Sequence, residues 1–150
     1  MATSPACRRS PLAEPTRSRA TPCRGPRAAD RGSLGREGER LAVRFLERAG
    51  YRILSRNWRV RRYEIDLVAL HGKVVVFVEV KTRSRGPQGA ADALSWGQRR
   101  RMRRAAESWI HAHPAVGDEF RFDLISVDVD DGGGSTIRQI EDAFYGEDAL

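Results

Sequence analysis

The chain has 150 residues, a formal net charge of +7 and 40% hydrophobic residues, which limits it to one domain with a modest core. No run approaches the roughly 18 apolar residues that a membrane-spanning helix needs. The two cysteines, Cys7 and Cys23, lie near the N-terminus, which excludes a disulfide framework or a cysteine-based metal site in the body of the chain. A reducing cytoplasm is therefore the expected setting.

The charge is unevenly distributed. Residues 34–116 carry 18 basic and eight acidic side chains, whereas residues 117–150 carry two basic and ten acidic ones. A basic body suits a polyanionic partner such as nucleic acid, because steering and counterion release both contribute to affinity. On charge alone, a merely soluble, arginine-rich surface remains an alternative.

The N-terminal stretch, residues 1–33, holds five of the seven prolines and almost no large apolar residues. It cannot bury enough surface to offset its ordering entropy, so we predict a disordered tail. Its composition is also compatible with a transit peptide, an extension without function or a mis-assigned start. We predict that residues 34–141 form the folded domain and that residues 142–150 form a loose acidic tail.

Residues 35–49 have the pattern of an amphipathic helix. Ser33 is a reasonable N-cap, and Gly50 is a C-terminal signal. Gly38 points towards the apolar face, as does Gly35, which suits close packing on a sheet. Glu39 lies at the border of that face. A first strand follows over residues 51–58, where arginines alternate with aromatic residues in a pattern that suits phosphate contact and base stacking, or simply the cover of a strand edge.

Two apolar runs of strand length come next, Ile65–Leu70 and Val74–Val80, and they predict a hairpin. His71-Gly72 is the expected turn, because glycine takes the positive φ that such turns need. Pairing Leu70 with Lys73 places Asp66 opposite Phe77 and Glu64 opposite Glu79.

This hairpin brings two carboxylates together. Asp66 and Glu79 become diagonal neighbours on one face, with Cβ atoms roughly 7 Å apart. Without a cation they repel, and Mg²⁺ (or Mn²⁺) accepts about two carboxylates plus waters. Lys81 follows on the same face and is one of only two lysines among 27 basic residues. Its compact ammonium suits orienting a water or stabilising a developing negative charge.

The second helix is predicted over residues 94–112, after a loop at residues 84–91 rich in glycine and proline. Its apolar stripe runs from Met102, and its first half is crowded with arginines, which repel one another unless an anion or acidic residues face them. Strands are expected over residues 120–129 and 136–140. Between them lies a glycine-rich loop, and Asp123 is interpreted as a structural partner of Arg121 or of an arginine of the second helix.

The D-x12-E-x-K pattern of Asp66, Glu79 and Lys81 resembles the PD-(D/E)XK nuclease superfamily. More narrowly, four motifs resemble the endonuclease-like YraN-like bacterial proteins: G-R-x-G-E at 35–39, E-I-D-L at 64–67, F-V-E-V-K-T-R at 77–83 and R-F-D-L-I at 121–125. The resemblance covers about residues 35–140. It implies an α/β, restriction-endonuclease-like fold with a central mixed sheet flanked by helices.

The resemblance also implies site residues. Asp66 and Glu79 would hold the metal, while Lys81 and the helical Glu39 would complete the catalytic set. Nucleic acid would contact the end of the third motif and the start of the second helix, at Arg83, Gln98, Arg99, Arg100 and Arg103. The chain departs from the family pattern at Tyr63, where glycine is usual, and at Gln98, where lysine is common.

Three interpretations follow. The first is an Mg²⁺-dependent nuclease acting on nucleic acid, with DNA favoured. The second is a nucleic-acid-binding protein on a nuclease scaffold without turnover, which the departures at Tyr63 and Gln98 favour. The third is a scaffold protein of a recombination or processing complex, whose basic surface is covered by protein. The sequence leaves the oligomeric state open.

Overall fold

The computed structural model describes residues 28–84 and 94–144. The predicted loop from residue 85 onwards, and most of both predicted tails, lie outside these ranges. The described part holds two helices and five strands: α1 (Ala28–Arg48), β1 (Arg52–Val60), β2 (Tyr63–His71), β3 (Val74–Ser84), α2 (Trp96–Ala112), β4 (Glu119–Val129) and β5 (Ser135–Ile140). Neither helix is long and apolar enough to span a membrane.

The five strands form one mixed sheet in the order β1-β2-β3-β4-β5. Neighbouring strands are antiparallel except β3 and β4, which run parallel over eleven residue pairs and are connected through α2. The predicted α/β class, with a central mixed sheet flanked by helices, is therefore confirmed.

Each face of the sheet packs against one helix. Ala42, Val43 and Leu46 of α1 bury one face, together with Leu67, Val76, Val78, Ile125 and Val127 of the strands. Met102, Ala105, Ala106 and Trp109 of α2 bury the other face, against Ile65, Val68, Val75, Phe77 and Leu124. The apolar stripes predicted for both helices are the surfaces that pack on the sheet, which places the two helices on opposite sides.

The first helix begins earlier than predicted. It starts at Ala28, so Ser33 lies inside the helix and is not its N-cap. Ala28, Ala29 and Arg31 are good helix formers, and no proline follows Pro26 before the helix ends, so nothing in this stretch stops the helix from extending. The C-terminal signal is confirmed: Gly50 has φ +87°, and the main-chain N–H groups of Gly50 and Tyr51 donate to the carbonyls of Glu47 and Leu46.

The β2–β3 hairpin has a different register from the predicted one. His71 pairs with Val74 and Leu70 with Val75, so the turn is Gly72-Lys73. Gly72 has φ +62° and takes the first turn position, which frees His71 to pair in the ladder and to stack on Tyr51 with ring centroids 4.2 Å apart. Phe77 consequently lies opposite Val68 and not opposite Asp66.

A buried ionic network ties β4 to its surroundings. Asp123 is fully buried and accepts two hydrogen bonds of 2.9 Å from Arg121, as the sequence predicted. It also accepts from Gln139 Nε2 at 2.7 Å and from the main-chain N–H of Asp142 at 3.2 Å. These bonds extend the fold into the predicted acidic tail.

The start of that predicted tail packs on the sheet. The main-chain N–H of Ala143 donates to the carbonyl of Phe122 at 2.8 Å. Phe144 is buried and stacks on Phe122 with centroids 4.6 Å apart. Residues 142–144 therefore belong to the domain and are not loose, because an aromatic ring among acidic residues finds an apolar partner there.

Helix α1 approaches β3 closely at Gly38. A Cβ atom added at Gly38 would lie 2.7 Å from Cβ and 2.8 Å from Cγ2 of Thr82, whereas a Cβ atom at Gly35 would meet nothing within 4 Å. Thr82 is β-branched and its Cβ is fixed by the strand, so the clash is not relieved by a rotamer change. The expectation of close packing holds for Gly38 and not for Gly35.

We therefore predict opposite effects for two matched helix substitutions. Gly38→Ala should destabilise the protein by about 1–3 kcal/mol through overpacking. Gly35→Ala should be neutral or stabilising by up to about 1 kcal/mol, because alanine favours a helix interior. Thermal and denaturant unfolding of both variants would measure the difference. Equal stabilities would show that α1 does not contact β3 at this point.

Candidate functional site

The candidate site lies where β2 and β3 separate. Their ladder runs from His71↔Val74 to Leu67↔Val78 and stops there, although β3 continues to pair with β4 as far as Ser84. One further step in the same register would pair Asp66 with Glu79. The two carboxylates therefore follow directly after the last paired residues, at the opening between the strands, and both line the two pockets found there.

The side-chain alternation of β2 breaks at the same residue. Ile65 packs in the α2-side core, whereas Leu67, two positions later, packs in the α1-side core. In a regular strand two such residues would share a face. Asn57 of β1 stands opposite the break with φ +48°, a left-handed conformation that asparagine tolerates better than most residues. Strand β2 thus changes face around Asp66, opposite a residue of β1 with an irregular backbone.

Asp66 replaces the missing ladder bond with its own side chain. Its Oδ2 accepts the main-chain N–H of Val80 at 2.8 Å. The pKa of Asp66 is raised from 3.8 to about 7, mainly because the carboxyl group is buried. The negative charge of Glu79 is the next largest cause, and the bond from Val80 acts in the opposite direction.

The pKa of Glu79 is also raised. Burial raises its pKa, while the positive charges of Lys81 and Arg101 lower it. A pair of half-buried carboxyl groups that disfavour each other's ionisation is expected at functional sites more often than in a structural core. The structure thus brings Asp66 and Glu79 together in the lining of the same two pockets, and the ladder register, if continued, would set them opposite each other and not as the predicted diagonal pair.

Lys81 lies beside them in the pocket that also contains Asp66 and Glu79. Its Nζ donates to Oε1 of Gln98 at 3.4 Å. The same oxygen accepts the main-chain N–H of Ser95 at 2.9 Å, and Oγ of Ser95 accepts the N–H of Gln98 at 3.3 Å. Gln98 therefore completes a capping box at the start of α2 and holds the lysine side chain, a role that differs from the phosphate contact predicted for it.

Glu39 lines the same pocket from α1. Its Oε2 accepts from Nδ2 of Asn57 at 3.1 Å, and its charge contributes to the raised pKa of Asp66. The close contact of Gly38 with Thr82 brings this part of the helix down onto β3. All four residues of the predicted catalytic set, Glu39, Asp66, Glu79 and Lys81, are thus at one place, and Arg83 lines the pocket with them.

The second pocket adds Arg101 and Met102, which were not predicted as site residues from the sequence. It is lined by Asp66, Glu79 and Gln98 together with Arg62 of the β1–β2 turn, Glu64, and Arg101 and Met102 of α2. Arg101 is one of five arginines among the six residues 99–104. Which of these arginines faces the site depends on the rotation of α2 about its axis. The buried side of the helix, formed by Met102, Ala105, Ala106 and Trp109, fixes that rotation.

The other arginines of α2 have contacts within the protein. Arg99 donates to the carbonyl of Leu94 at 3.0 Å and lies 5.8 Å from the ring centroid of Phe144. Arg103 and Arg104 pair with Glu107 at 3.4 and 3.3 Å. Arg100 lies over the ring of Trp96 at 5.5 Å. The mutual repulsion expected from the sequence is therefore relieved by one glutamate and by aromatic rings.

Tyr63, the departure from the family pattern, packs against the α2-side core. Its hydroxyl accepts a hydrogen bond of 3.4 Å from Arg62. That bond, together with the positive charges of Arg62, Arg104 and Arg100, lowers the pKa of Tyr63. The ring thus lies beside the arginines of the second pocket and supports Arg62.

The site offers a hard divalent cation two carboxylate ligands and not a complete set of protein ligands. Within residues 28–84 and 94–144, no three Asp, Glu, His or Cys side chains form a group that could hold a metal ion. Mg²⁺ keeps several of its own waters, so it needs few protein ligands and room for water around them. It accepts two carboxyl groups that disfavour each other's charge. Asp66 and Glu79 therefore fit Mg²⁺ or Mn²⁺.

Comparison with known proteins agrees with the motifs. The model of the family described as "Uncharacterised protein family UPF0102" matches residues 38–127. The chain belongs to UPF0102. The resemblance to the YraN-like proteins is thereby confirmed, and the matched range includes Glu39, Asp66, Glu79, Lys81 and the arginines of α2.

Curated members of UPF0102 match over most of their own length. One from Anaeromyxobacter sp. (strain Fw109-5) is 41% identical over 80% of this chain and 90% of that protein. One from Chlorobium phaeobacteroides (strain BS1) is 41% identical over 72% and 86%, and one from Rhodococcus opacus (strain B4) is 40% identical over 75% and 96%. Among solved structures, Pyrococcus furiosus SfsA in complex with Ca²⁺ is similar with a TM-score of 0.38 and 18% identity, over 75% of this chain and 64% of that one.

The raised pKa of Asp66 predicts a pH dependence of stability in metal-free solution. Between about pH 4 and pH 7 the folded protein holds the Asp66 proton that the unfolded chain has released, so the free energy of unfolding falls as pH rises, by at most about 4 kcal/mol. Above about pH 7 this contribution is constant. Asp66→Asn cannot titrate, yet it keeps an oxygen to accept from Val80.

Melting curves from pH 4 to 8 with a chelator would test this. The Asp66→Asn variant should gain stability relative to the unmodified protein as pH rises through this window. Asp131→Asn, in the exposed β4–β5 loop, is the matched control and should not. A constant difference across the range would show that Asp66 titrates at its ordinary pKa.

Proposed function

We propose that this protein is a metal-dependent nuclease that hydrolyses phosphodiester bonds of nucleic acid. The observation that carries the proposal is the placement of Asp66, Glu79 and Lys81 at the opening between β2 and β3, with the two carboxyl groups half-buried and repelling each other. An arrangement that costs stability in a fold of this size is expected to serve a ligand. Nucleic acid, with DNA favoured, is the proposed substrate class.

Mg²⁺ or Mn²⁺, held by Asp66 and Glu79, would offset their charge and polarise the phosphodiester. The chain's own residues supply the rest. The ammonium of Lys81, which donates to Gln98 Oε1, would hold the attacking water or stabilise the negative charge that develops on the phosphate oxygens. Glu39, which accepts a hydrogen bond from Asn57, would accept a proton from that water.

The arginines around the pockets are proposed to bind the substrate backbone. Arg62 and Arg101 line the pocket on one side of the carboxyl pair, and Arg83 lines the pocket on the other. Guanidinium groups on both sides suit a strand whose phosphates continue past the scissile bond, because each phosphate contact is a charge-assisted hydrogen bond.

A second candidate is nucleic-acid binding without turnover. Gln98 favours it, because an amide stands where lysine is common in the related motif, so the site has one positive charge fewer than the motif implies. In this candidate function the arginines bind as proposed, and the carboxyl pair binds metal without leading to cleavage.

Measurements of Mg²⁺-dependent stability and of cleavage distinguish the two candidate functions. We predict that Mg²⁺ stabilises the protein above pH 7, by about 2.7 kcal/mol at a hundredfold excess over its dissociation constant. Glu79→Gln should abolish both this stabilisation and cleavage. Lys81→Ala should keep the stabilisation and lower the cleavage rate by about 10²–10³-fold, because its proposed partner is water or phosphate.

The control is Lys73→Ala, since Lys73 is the chain's only other lysine and lies exposed in the β2–β3 turn. It should affect neither property. A protein that shows no Mg²⁺-dependent stabilisation would contradict the metal site. Stabilisation without cleavage of single-stranded, duplex or branched DNA or RNA would support the binding function.

The positions of the arginines predict unequal effects on binding. Replacing Arg62 and Arg101 with glutamine should weaken nucleic-acid binding and lower the dependence of log affinity on log salt by about one for each phosphate contact removed. The same change at Arg99 and Arg103 should have a smaller effect, because those side chains contact Leu94, Phe144 and Glu107. Titrations at several salt concentrations would measure both pairs, and equal losses would contradict the assignment of Arg101 to the site.

A further inference from the structure

Trp96 is the most exposed large hydrophobic side chain in the described part of the protein, at 54%. It is the first residue of α2 and follows directly after the N-cap Ser95. A single exposed apolar residue is ordinary on a protein surface. Two features of its surroundings make this one different.

The first feature is its place. The capping box of Ser95 and Gln98 fixes the turn that carries Trp96, and Gln98 Oε1 is also the acceptor for Lys81 Nζ. The indole is therefore attached to the same helical turn that holds the candidate catalytic lysine. A group resting on this ring would lie within one helical turn of Gln98, which lines both pockets.

The second feature is the charge around the ring. The guanidinium of Arg100 lies over the indole at 5.5 Å from its centroid, and Arg101, the next residue, lines the pocket with Asp66 and Glu79. A cation on an aromatic face holds the ring in place without burying it. More than half of Trp96 remains exposed although Arg100 already covers part of one face.

We propose that Trp96 is a stacking platform for an unpaired base adjacent to the scissile phosphate, so that the preferred substrate is single-stranded or carries an unpaired end. This inference rests on the proposed function, which supplies the phosphate site. An aromatic ring among arginines is how proteins bind single strands without sequence preference, because every base has a stacking face. In a duplex those faces are covered by neighbouring base pairs, so the ring selects for strands whose bases are free.

The test is binding in metal-free buffer with a chelator, where cleavage plays no part. The probes are an oligo-dT of about 16 nucleotides, an abasic phosphodiester strand of the same length, and the oligo-dT annealed to oligo-dA. Trp96→Ala should weaken binding of oligo-dT by about 5–100-fold and leave the abasic strand and the duplex within about twofold. Trp96→Phe should retain most of the affinity, because phenylalanine also stacks.

A matched control is Phe120→Ala. Phe120 is the next most exposed aromatic side chain in the described residues, at 45%, and it pairs with Val75, four residues along β3 from Glu79. Its loss should not change the preference among the probes. Tryptophan emission gives a direct readout, because Trp109 is 1% exposed and Trp58 is half-buried. Oligo-dT should quench the unmodified protein and should quench Trp96→Phe much less.

Equal losses on all three probes would overturn the proposal, since they would show that the indole contacts the backbone or supports the fold. No loss on oligo-dT would overturn it as well. If the unmodified protein binds none of the probes, both this inference and the proposed function fail. If it binds oligo-dT through Trp96 yet cleaves nothing, the platform stands and only the catalytic part of the proposed function fails.

Discussion

One hydrogen bond, from the main-chain N–H of Val80 to Oδ2 of Asp66, takes the place of the next rung in the β2–β3 ladder. A strand that loses its neighbour leaves main-chain groups without partners, and burying such groups is costly. Here a side chain supplies the acceptor, so β2 can leave β3 while β3 stays fully paired with β4. The opening between the strands, and everything that lines it, depends on this substitution of a side chain for a carbonyl.

The two helices then reach the opening from opposite faces. Because Gly38 has no side chain, α1 packs closely on Thr82, and Glu39 lines the pocket. On the other side, the capping box of α2 positions Gln98 next to Lys81. Glu39 lies near the middle of α1, whereas α2 contributes through its first half, from Gln98 to Met102. The site is therefore held by a close helix–strand contact on one side and by a helix cap on the other.

The sequence predicted the convergence of Asp66, Glu79 and Lys81 because the pairing of two short apolar strands across a tight turn is a local property. It did not predict that the ladder stops at Leu67, because that depends on a bond between residues fourteen positions apart. The turn was misplaced by one residue, since glycine can occupy either position of a two-residue turn. The serine and glutamine spacing at the start of α2 was readable as a capping box, and reading it would have shown that Gln98 was already engaged.

The connections between the strands also suggest the order in which they pair during folding. Strands β1, β2 and β3 are joined by two-residue turns, whereas β3 and β4 bring together residues about 45 positions apart. Local hairpins close with little loss of chain entropy, and a parallel pair has to wait for its long crossover. We therefore expect the three-stranded meander to form first, with both acidic side chains still in water. Their burial, and the strain it introduces, would begin only when α2 and β4 dock in the last stage of folding.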